Sequence, residues 1–462
     1  MQYTYNIQKI IDVDVLVVGG GPAGFGAAVA AARNQAKTLL VERFGTLGGM
    51  ATTALVGPVM CSFDNDAEEQ LSMGIFNEIC LRAEAKGGAI HPSKMAPFTS
   101  HTSYYRRGHN NVTPFLSHVW ARVMDEMACE AGVELLFDTQ FLDCIMDGEK
   151  IDTVILANKS GMIGVRPKIC IDCSGDADVA VKAGVDTWYG DKDNHNAAQP
   201  TSLFFEVDKI DRDAYIAALE PHLEELDNNF RNCFCWLVDK ARENGDWTLN
   251  RNELGAYETC IPGRFKINTT RMNNVDATDA FEVSKALVEG RRQVEEVLNF
   301  IHKYVPGGEK AEIVQVAQAL GVRESRHIVG RYELTAHDIL HRAVFEDSVM
   351  SYGYSIDVHA ADDGGGTFET VDKYYNIPYR CLVPIGCDNL LVAGRCICGS
   401  SVAAASYRCM SSCMTMGQAA GTAAALNKDT GGAIGNIDVK LLQRTLLEQG
   451  AVIKGILHSD GE

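Results

Sequence analysis

An α/β fold, with a Rossmann-type dinucleotide-binding core, a β-meander and a second domain, is what this 462-residue sequence predicts. Three observations carry the prediction. Residues 13–42 spell a complete βαβ pattern, residues 114–167 continue it with a helix, a strand and three short alternating runs, and the length exceeds one compact core.

The βαβ pattern reads VDVLVVGGGPAGFGAAVAAARNQAKTLLVE. Asp14 to Val18 is a valine-rich strand, and Gly19, Gly21 and Gly24 follow in GxGxxG spacing. An alanine-rich helix runs to Asn34, and a second strand, Thr38 to Val41, ends on Glu42. The first glycine permits a tight turn, the second lets backbone approach a pyrophosphate, and the third lets helix pack on strand. The helix N-terminus then offers unpaired N–H groups and a positive dipole end to the phosphates. Glu42 stands eighteen residues beyond Gly24, close to the roughly 20 expected of the acid that holds ribose hydroxyls. The cofactor expected here is FAD.

Further along, Glu68 to Lys86 has helical apolar spacing, and Gly88 to Asn111 reads as a long loop containing HTSYYRRGHNN. Its cluster His101, Tyr104, Tyr105, Arg106 and Arg107 is a candidate lid, since structureless loops of this length tend to be functional or disordered. Phe115, Val119, Val123 and Met127 predict a helix over Pro114 to Gly132, leading into the strand Val133 to Phe137. Runs at Phe141 to Met146, Ile151 to Leu156 and Ile163 to Pro167 predict a three-stranded meander, with Ile169 to Cys173 as another buried strand. Near the far end, Asn389 to Ala393 is a buried strand running into Gly394 and Arg395. The stretch GSSVAAASYRCMSSCMTMGQAAGTAAAL that follows reads as one long helix of small residues.

The formal net charge of −19 argues against nucleic acid or an anionic membrane as partner. The opening MQYTYNIQKI leaves no room for a leader before the first strand, and no apolar stretch approaches the roughly 20 residues that span a bilayer, so a cytoplasmic protein is expected. Fifteen cysteines then read as thiols rather than a disulfide framework. Cys170 and Cys173 form a CxxC on a strand, where they point to opposite faces and make poor joint ligands. Cys396, Cys398, Cys409 and Cys413 form a denser cluster, open to a redox or metal role or to small-hydrophobe packing. Their spacing matches no standard metal pattern, and no metal is expected.

Joined with ERFGTLGGMAT at 42–52, DCSGDADVA at 172–180 and ESRHIVGRYELTAHDI at 324–339, these segments resemble the glutathione-reductase-type FAD fold. Within it they look like the FAD-dependent oxidoreductase family related to succinate dehydrogenase and fumarate reductase flavoproteins. The resemblance covers both ends and one central segment. The middle, from about Pro200 to Ala319, matches nothing assignable. The resemblance implies a Rossmann-type FAD-binding domain with a β-meander, formed by residues 1–200 and 345–435. An inserted α+β substrate or cap domain over 201–344 would contain a strand from Thr201 to Val207 and a helix from Ala277 to Tyr304, with a C-terminal helical tail at 436–462.

Cofactor contacts are implied at Gly19, Gly21, Pro22, Ala23 and Gly24, at Glu42 and Arg43, and at Gly48, Gly49 and Met50. They extend to Asp172, Gly175 and Asp176 and to Gly394, Arg395, Ser401 and Val402. Covalent relatives carry a histidine after the glycine segment, whereas this chain has Met50, Ala51 and Thr52, so non-covalent FAD is expected. Arg395 stands where many such proteins place an acid, and a guanidinium there could pair a phosphate. The helix beginning near Ser400 is expected to aim its N-terminus at the flavin.

For substrate chemistry the candidate is YGYSIDVHAADDGGG, Tyr352 to Gly366. If extended, it puts Ser355, Asp357 and His359 on one face, with His359 as acid or base or as a hydrogen-bonded structural histidine. In NIPYRCLVP, Arg380 opposes Tyr379 and Cys381, open to orienting a substrate or to an interdomain ion pair. Arg323, Arg326, His327 and Arg331 are expected on a helix side, in solvated or interdomain pairing. The leading expectation is a flavoenzyme that moves a hydride between FAD and a small hydroxyl- or amine-bearing metabolite, with an external electron acceptor or donor. A fumarate-reductase-like ene reductase, with Arg380 and Arg408 as clamps, and an electron-relay subunit are the alternatives. Homo-oligomerisation is left open.

Overall fold

The computed structural model describes residues 6–7, 9–105, 108–228, 233–359 and 366–456. Its main sheet is built from β1 (Lys9–Val18), β2 (Thr38–Val41), β3 (Glu134–Leu136), β4 (Gln140–Asp147), β5 (Lys150–Asn158) and β6 (Gly161–Asp172). Helix α1 (Pro22–Arg33) crosses from β1 to β2, and α2 (Ile75–Ala85) and α3 (Ser117–Ala131) lie between β2 and β3. Strand order is β3-β2-β1-β6-β5-β4, parallel from β3 to β6 and antiparallel through the meander. Val15 to Val18 are buried along the middle of the sheet, as a strand covered on both faces requires.

The parallel core and meander share a strand. The two short strands read at Ile163 to Pro167 and Ile169 to Cys173 are one continuous β6 of 12 residues. Its first half pairs with β5 as far as Val165, Ile163 to Asp172 run beside β1, and its end pairs with a later strand from Cys170. Pro167 falls between those two partners on that side, where a missing N–H breaks no ladder bond. The helix read over Glu68 to Lys86 is shorter, beginning at Ile75 after Gly74 takes φ of +57°.

After α4 (Asp178–Lys182) and β7 (Thr187–Tyr189) comes a separate antiparallel sheet. It contains β8 (Phe205–Asp208), then, beyond α5 (Arg212–Leu219), α6 (Leu223–Asn228) and α7 (Cys235–Glu243), β9 (Ala256–Glu258) and β10 (Phe265–Ile267). The long α8 (Ala280–Tyr304) leads to β11 (Glu312–Val316), giving the order β11-β8-β10-β9. Asp279 starts α8 by accepting from the N–H groups of Phe281 and Glu282, three residues later than the expected start at Ala277. This sheet and its helices enclose an apolar core distinct from that of the main sheet.

The chain then returns through β12 (Arg326–Ile328), α9 (Ala336–Leu340), β13 (Ser348–Tyr352), β14 (Ile356–His359), β15 (Gly366–Glu369) and β16 (Tyr375–Pro378). Strand β17 (Leu390–Val392) joins β6 in parallel, and α10 (Ser401–Tyr407), α11 (Met410–Asn427) and α12 (Val439–Glu448) complete the fold. The segment read as one long helix is therefore two. Cys409 is extended, with φ −61° and ψ 148°, and caps α11. The ESRHIVGR segment is no helix either, since Arg326 to Ile328 pair with β7 and its cations scatter.

Helix α11 is buried almost all round, the signature of a core helix. It lies directly on α1, and its small residues are a steric need: a Cβ on Gly417 would stand 1.9 Å from the Ala23 carbonyl oxygen. Among the described residues no helix is long and apolar enough to cross a membrane.

Candidate functional site

A cavity of about 290 Å³ opens at the C-terminal ends of β1, β2, β6 and β17, the crevice position expected of open α/β sheets. Its floor is the β1–α1 turn. Gly19, at φ +101°, has no room for a Cβ, which would meet the Cys173 carbonyl oxygen at 2.4 Å. Gly24 is closed in the same way by the Gly19 oxygen at 1.7 Å. At Gly21 a Cβ would meet nothing within 4 Å, so this turn is bare backbone facing open space. Pro22 begins α1, and no acid occupies its first turn.

Of the residues expected to hold cofactor, Gly19, Gly21, Pro22, Ala23, Glu42, Arg43, Gly49, Met50, Gly175, Gly394 and Arg395 line this cavity. Glu42 is buried at the tip of β2 and accepts from the N–H groups of Gly20 at 2.6 Å and Phe44 at 2.9 Å. Burial raises its pKa against those bonds. Arg395 reaches over Gly175 to Asp176, at 2.7 Å, and its Nε is buried with no hydrogen-bond partner.

Others stand behind the wall. Gly24 and Gly48 shape the turns without lining the cavity. Asp172 is fully buried and its oxygens are taken by the N–H groups of Ser174, Val179 and Ala180 and the Ser174 hydroxyl. It holds the loop after β6 and the start of α4. Ser401 and Val402 are also absent from the lining, because α10 is not the helix that meets the cavity. The break at Arg408 and Cys409 gives that place to α11, whose first turn contributes Cys409, Met410 and Cys413.

The opposite wall comes from β9, the β10 flank, the return segment and β14. It includes Phe204, Tyr257, Asn268, Arg323, Tyr354, Asp357, His359 and Arg408. Asp357 and His359 share one face of β14, with His359 Nε2 3.4 Å from Asp357 Oδ2. The Tyr354 hydroxyl donates to the same oxygen at 3.2 Å. Gln199 Oε1 accepts from the His359 backbone N–H at 3.2 Å and from Arg408 at 3.1 Å. Burial, followed by the Arg323 charge, pushes the His359 pKa down to about 3, so the imidazole is neutral near pH 7. Burial would raise Asp357, but His359 and Arg408 hold its carboxyl well below the usual range.

Arg380 is not brought to this site. Strand β16 stops at Pro378, and Tyr379 to Leu382 form a single 3₁₀ turn, so the alternating faces expected of a strand are lost. The half-exposed Arg380 guanidinium pairs with Asp347 at 2.9 Å and lies over Tyr332. In the long loop, His101 and Tyr105 bond to Glu258 and Glu253 of the second sheet region, while Arg106, Arg107 and residues 360–365 lie outside the described residues. None of the fifteen cysteines is in a disulfide. Among the described residues no three His, Cys, Asp or Glu side chains gather as a metal site.

Sequence reasoning missed Tyr257 and Asn268, which lie in the unassigned middle, and placed Arg323 elsewhere. Its signal was there: Arg323 immediately precedes the recognised ESRHIVGR motif.

The chain matches the model of the FAD dependent oxidoreductase family over residues 14–446 and belongs to that family. It is similar to digeranylgeranylglycerophospholipid reductases, with 28% identity to that of Thermoplasma acidophilum over 268 residues, 53% of this chain and 60% of the relative. The corresponding figures for Thermoplasma volcanium are 26% over 224 residues, 45% and 51%. The chain thus spans about half the length of the curated relatives it matches. Among solved structures it overlaps a geranylgeranyl bacteriochlorophyll reductase-like protein of Thermoplasma acidophilum, at TM-score 0.43 and 16% identity, covering 96% of this chain and 84% of the other. A flavin-dependent monooxygenase solved with FAD and substrate overlaps at TM-score 0.40 and 17% identity, covering 70% and 52%.

The cofactor of that family is FAD. The residues present fit the cofactor: bare backbone at Gly21 suits close approach of a pyrophosphate, the free Arg395 Nε is a ready phosphate donor, and Glu42 stands at the tip of β2.

Proposed function

We propose that the protein oxidises a small polar metabolite at a hydroxyl- or amine-bearing carbon, with His359 as the proton acceptor. The observation that carries this reading is the His359–Asp357 pair on the cavity wall, with the imidazole neutral. Nε2 faces the carboxylate and keeps its proton there, which leaves Nδ1 as the accepting atom. FAD supplies the two-electron acceptor for the hydride and its electron pair. The O–H or N–H proton passes to His359, and the carbon–oxygen or carbon–nitrogen π bond forms. Tyr354 and Asp357 fix the ring, and an external acceptor must later take the electrons.

In this reading residues 1–200 and 345–435 form the FAD-binding domain, 201–344 a substrate or cap domain and 436–462 a tail. Two separate apolar cores support a division of this kind, although the second core ends near Val322, and Ile328, Leu334 and Ile339 pack in the main one. FAD is held without a covalent bond by the cavity-lining residues of β1, α1, β2, β6 and β17, with Gly24, Gly48, Asp172 and Asp176 in support. Its fifteen free thiols, none in a disulfide, favour a reducing compartment such as the cytoplasm.

Anaerobic mixing with hydroxy and amino compounds tests the reaction. His359→Ala is expected to retain FAD and slow flavin reduction about 10²- to 10⁴-fold; reduction at the wild-type rate would sink the proposal. Similarity to enzymes named as reductases favours a second reading, reduction of a carbon–carbon double bond. Reoxidation of the reduced protein by fumarate, with no flavin reduction by any alcohol or amine, would favour it.

A further inference from the structure

We infer that the substrate side of the cavity is a carboxylate site, in which Arg323 and Arg408 together hold an anionic group of the molecule that is oxidised. That the bound anion is the molecule oxidised rests on the hydride-transfer reading; the anion site itself does not. Both guanidiniums touch only uncharged groups. Arg323 donates to the Pro200 carbonyl at 2.6 Å, the Ser202 hydroxyl at 2.9 Å and Asn268 Oδ1 at 3.4 Å. Arg408 donates to Gln199 Oε1 and to the backbone oxygen of Asp357, both at 3.1 Å. All of these acceptors are neutral.

Other arginines around the site are matched with acids: Arg251 with Glu253 at 2.8 Å, Arg395 with Asp176 at 2.7 Å and Arg326 with Asp178 at 3.2 Å. Among the described residues no carboxylate lies in ion-pair distance of Arg323 or Arg408, although both line the cavity. Arg408 Nε is buried with no partner at all. Two neighbouring cations withdrawn from water are costly unless an anion joins them. Consistent with that crowding, burial and the charges of Arg408, Arg251 and Arg271 push the Arg323 pKa down to about 9.

The ligand class follows from the charge. Asp357 offsets one of the two cations through space, which leaves about one negative charge to be supplied. A carboxylate provides it and fits the planar donor fork of a guanidinium. The neutral acceptors fix Arg323 in place beforehand, so little ordering remains on binding. Together with His359 on the same wall, the arrangement suits a 2-hydroxy or 2-amino acid.

The test is a titration of the oxidised, FAD-loaded protein with acetate and glycolate, against acetamide, ethylene glycol and inorganic phosphate, read by the flavin absorption spectrum. Acetate and glycolate should perturb the spectrum saturably, with affinity falling as chloride is added, and the neutral probes should not. Arg323→Gln and Arg408→Gln should each weaken acetate binding at least tenfold with FAD retained. Arg380→Gln should leave it unchanged. Should a glutamine variant fail to fold, Arg323→Lys and Arg408→Lys keep charge without the fork and should still lose most of the affinity. Equal binding of acetate and acetamide overturns the site, as does wild-type acetate affinity in both variants; tighter phosphate than acetate overturns the carboxylate assignment. Alcohols that reduce the flavin while carboxylates fail to bind would sink this inference and leave the oxidation reading intact. Carboxylates that bind without any hydroxy or amino acid reducing the flavin would do the reverse.

Discussion

His359 sets a pH dependence that can be read without knowing the substrate. Its pKa falls from 6.5 to about 3 because the folded chain buries the ring beside Arg323. As pH drops below 6.5 the unfolded chain takes up a proton that the folded one refuses until about pH 3. Stability is therefore complete above pH 6.5 and is lost on acidification, by up to ~1.4 kcal/mol per pH unit from this one group. Urea denaturation between pH 7 and pH 4 should show a steeper loss in the wild type than in His359→Gln. Parallel slopes would mean that the ring is protonated in the folded protein. The alternation of Ser355, Asp357 and His359 was legible in the sequence, because a period of two needs only a strand. The partners of those residues were not: Gln199 lies 160 positions away and arrives through the packing of a separate segment.

At the scale of elements, the contact between α1 and α11 decides where the glycine turn at Gly19 to Gly24 sits. A Cβ at Gly417 would meet the Ala23 oxygen at 1.9 Å, and one at Gly421 the Ala27 oxygen at 2.0 Å. Both obstacles are backbone and cannot rotate away. Gly417→Ala should thus force α1 from α11, costing about 1–3 kcal/mol in a thermal melt and weakening FAD binding. Gly45→Ala serves as the control, with its nearest contact at 3.7 Å to an aspartate side chain. Small residues announce such a contact in sequence, and a helix of small residues was expected. The break inside it was not. No Gly or Pro stands between Ser401 and Met416 to mark the break; the chain turns at Arg408 and Cys409, where Cys413 donates to the Arg408 carbonyl at 3.2 Å. The same limit hid the continuity of β6, since Pro167 usually ends a strand and here occupies a one-sided stretch of it.

Across the whole molecule, one buried lysine links the second sheet to the main domain. Lys266, on β10, is almost fully buried; its Nζ donates to Ser117 Oγ of α3 at 2.8 Å, lies over the Phe115 ring and stands 3.7 Å from Glu206. Burial pushes its pKa down to about 8, so near neutrality it still carries its charge. Its role was beyond sequence reasoning because the middle of the chain offers no motif, and Lys266 acquires meaning only when β10 is laid against α3. Removing one member of such a pair leaves the other charge buried, whereas removing both can be nearly neutral. Lys266→Met should cost about 3–5 kcal/mol in urea denaturation, and Lys266→Met with Glu206→Met less than about half of that. The link also joins the wall that carries Tyr257 to the floor that carries the Gly21 turn. Flavin fluorescence and far-ultraviolet circular dichroism should accordingly report one transition in the wild type and separate ones in the double variant, in which the charge penalty is gone and the lysine tether with it. Coincident transitions in that variant would show that the two cores are held together by their remaining contacts alone.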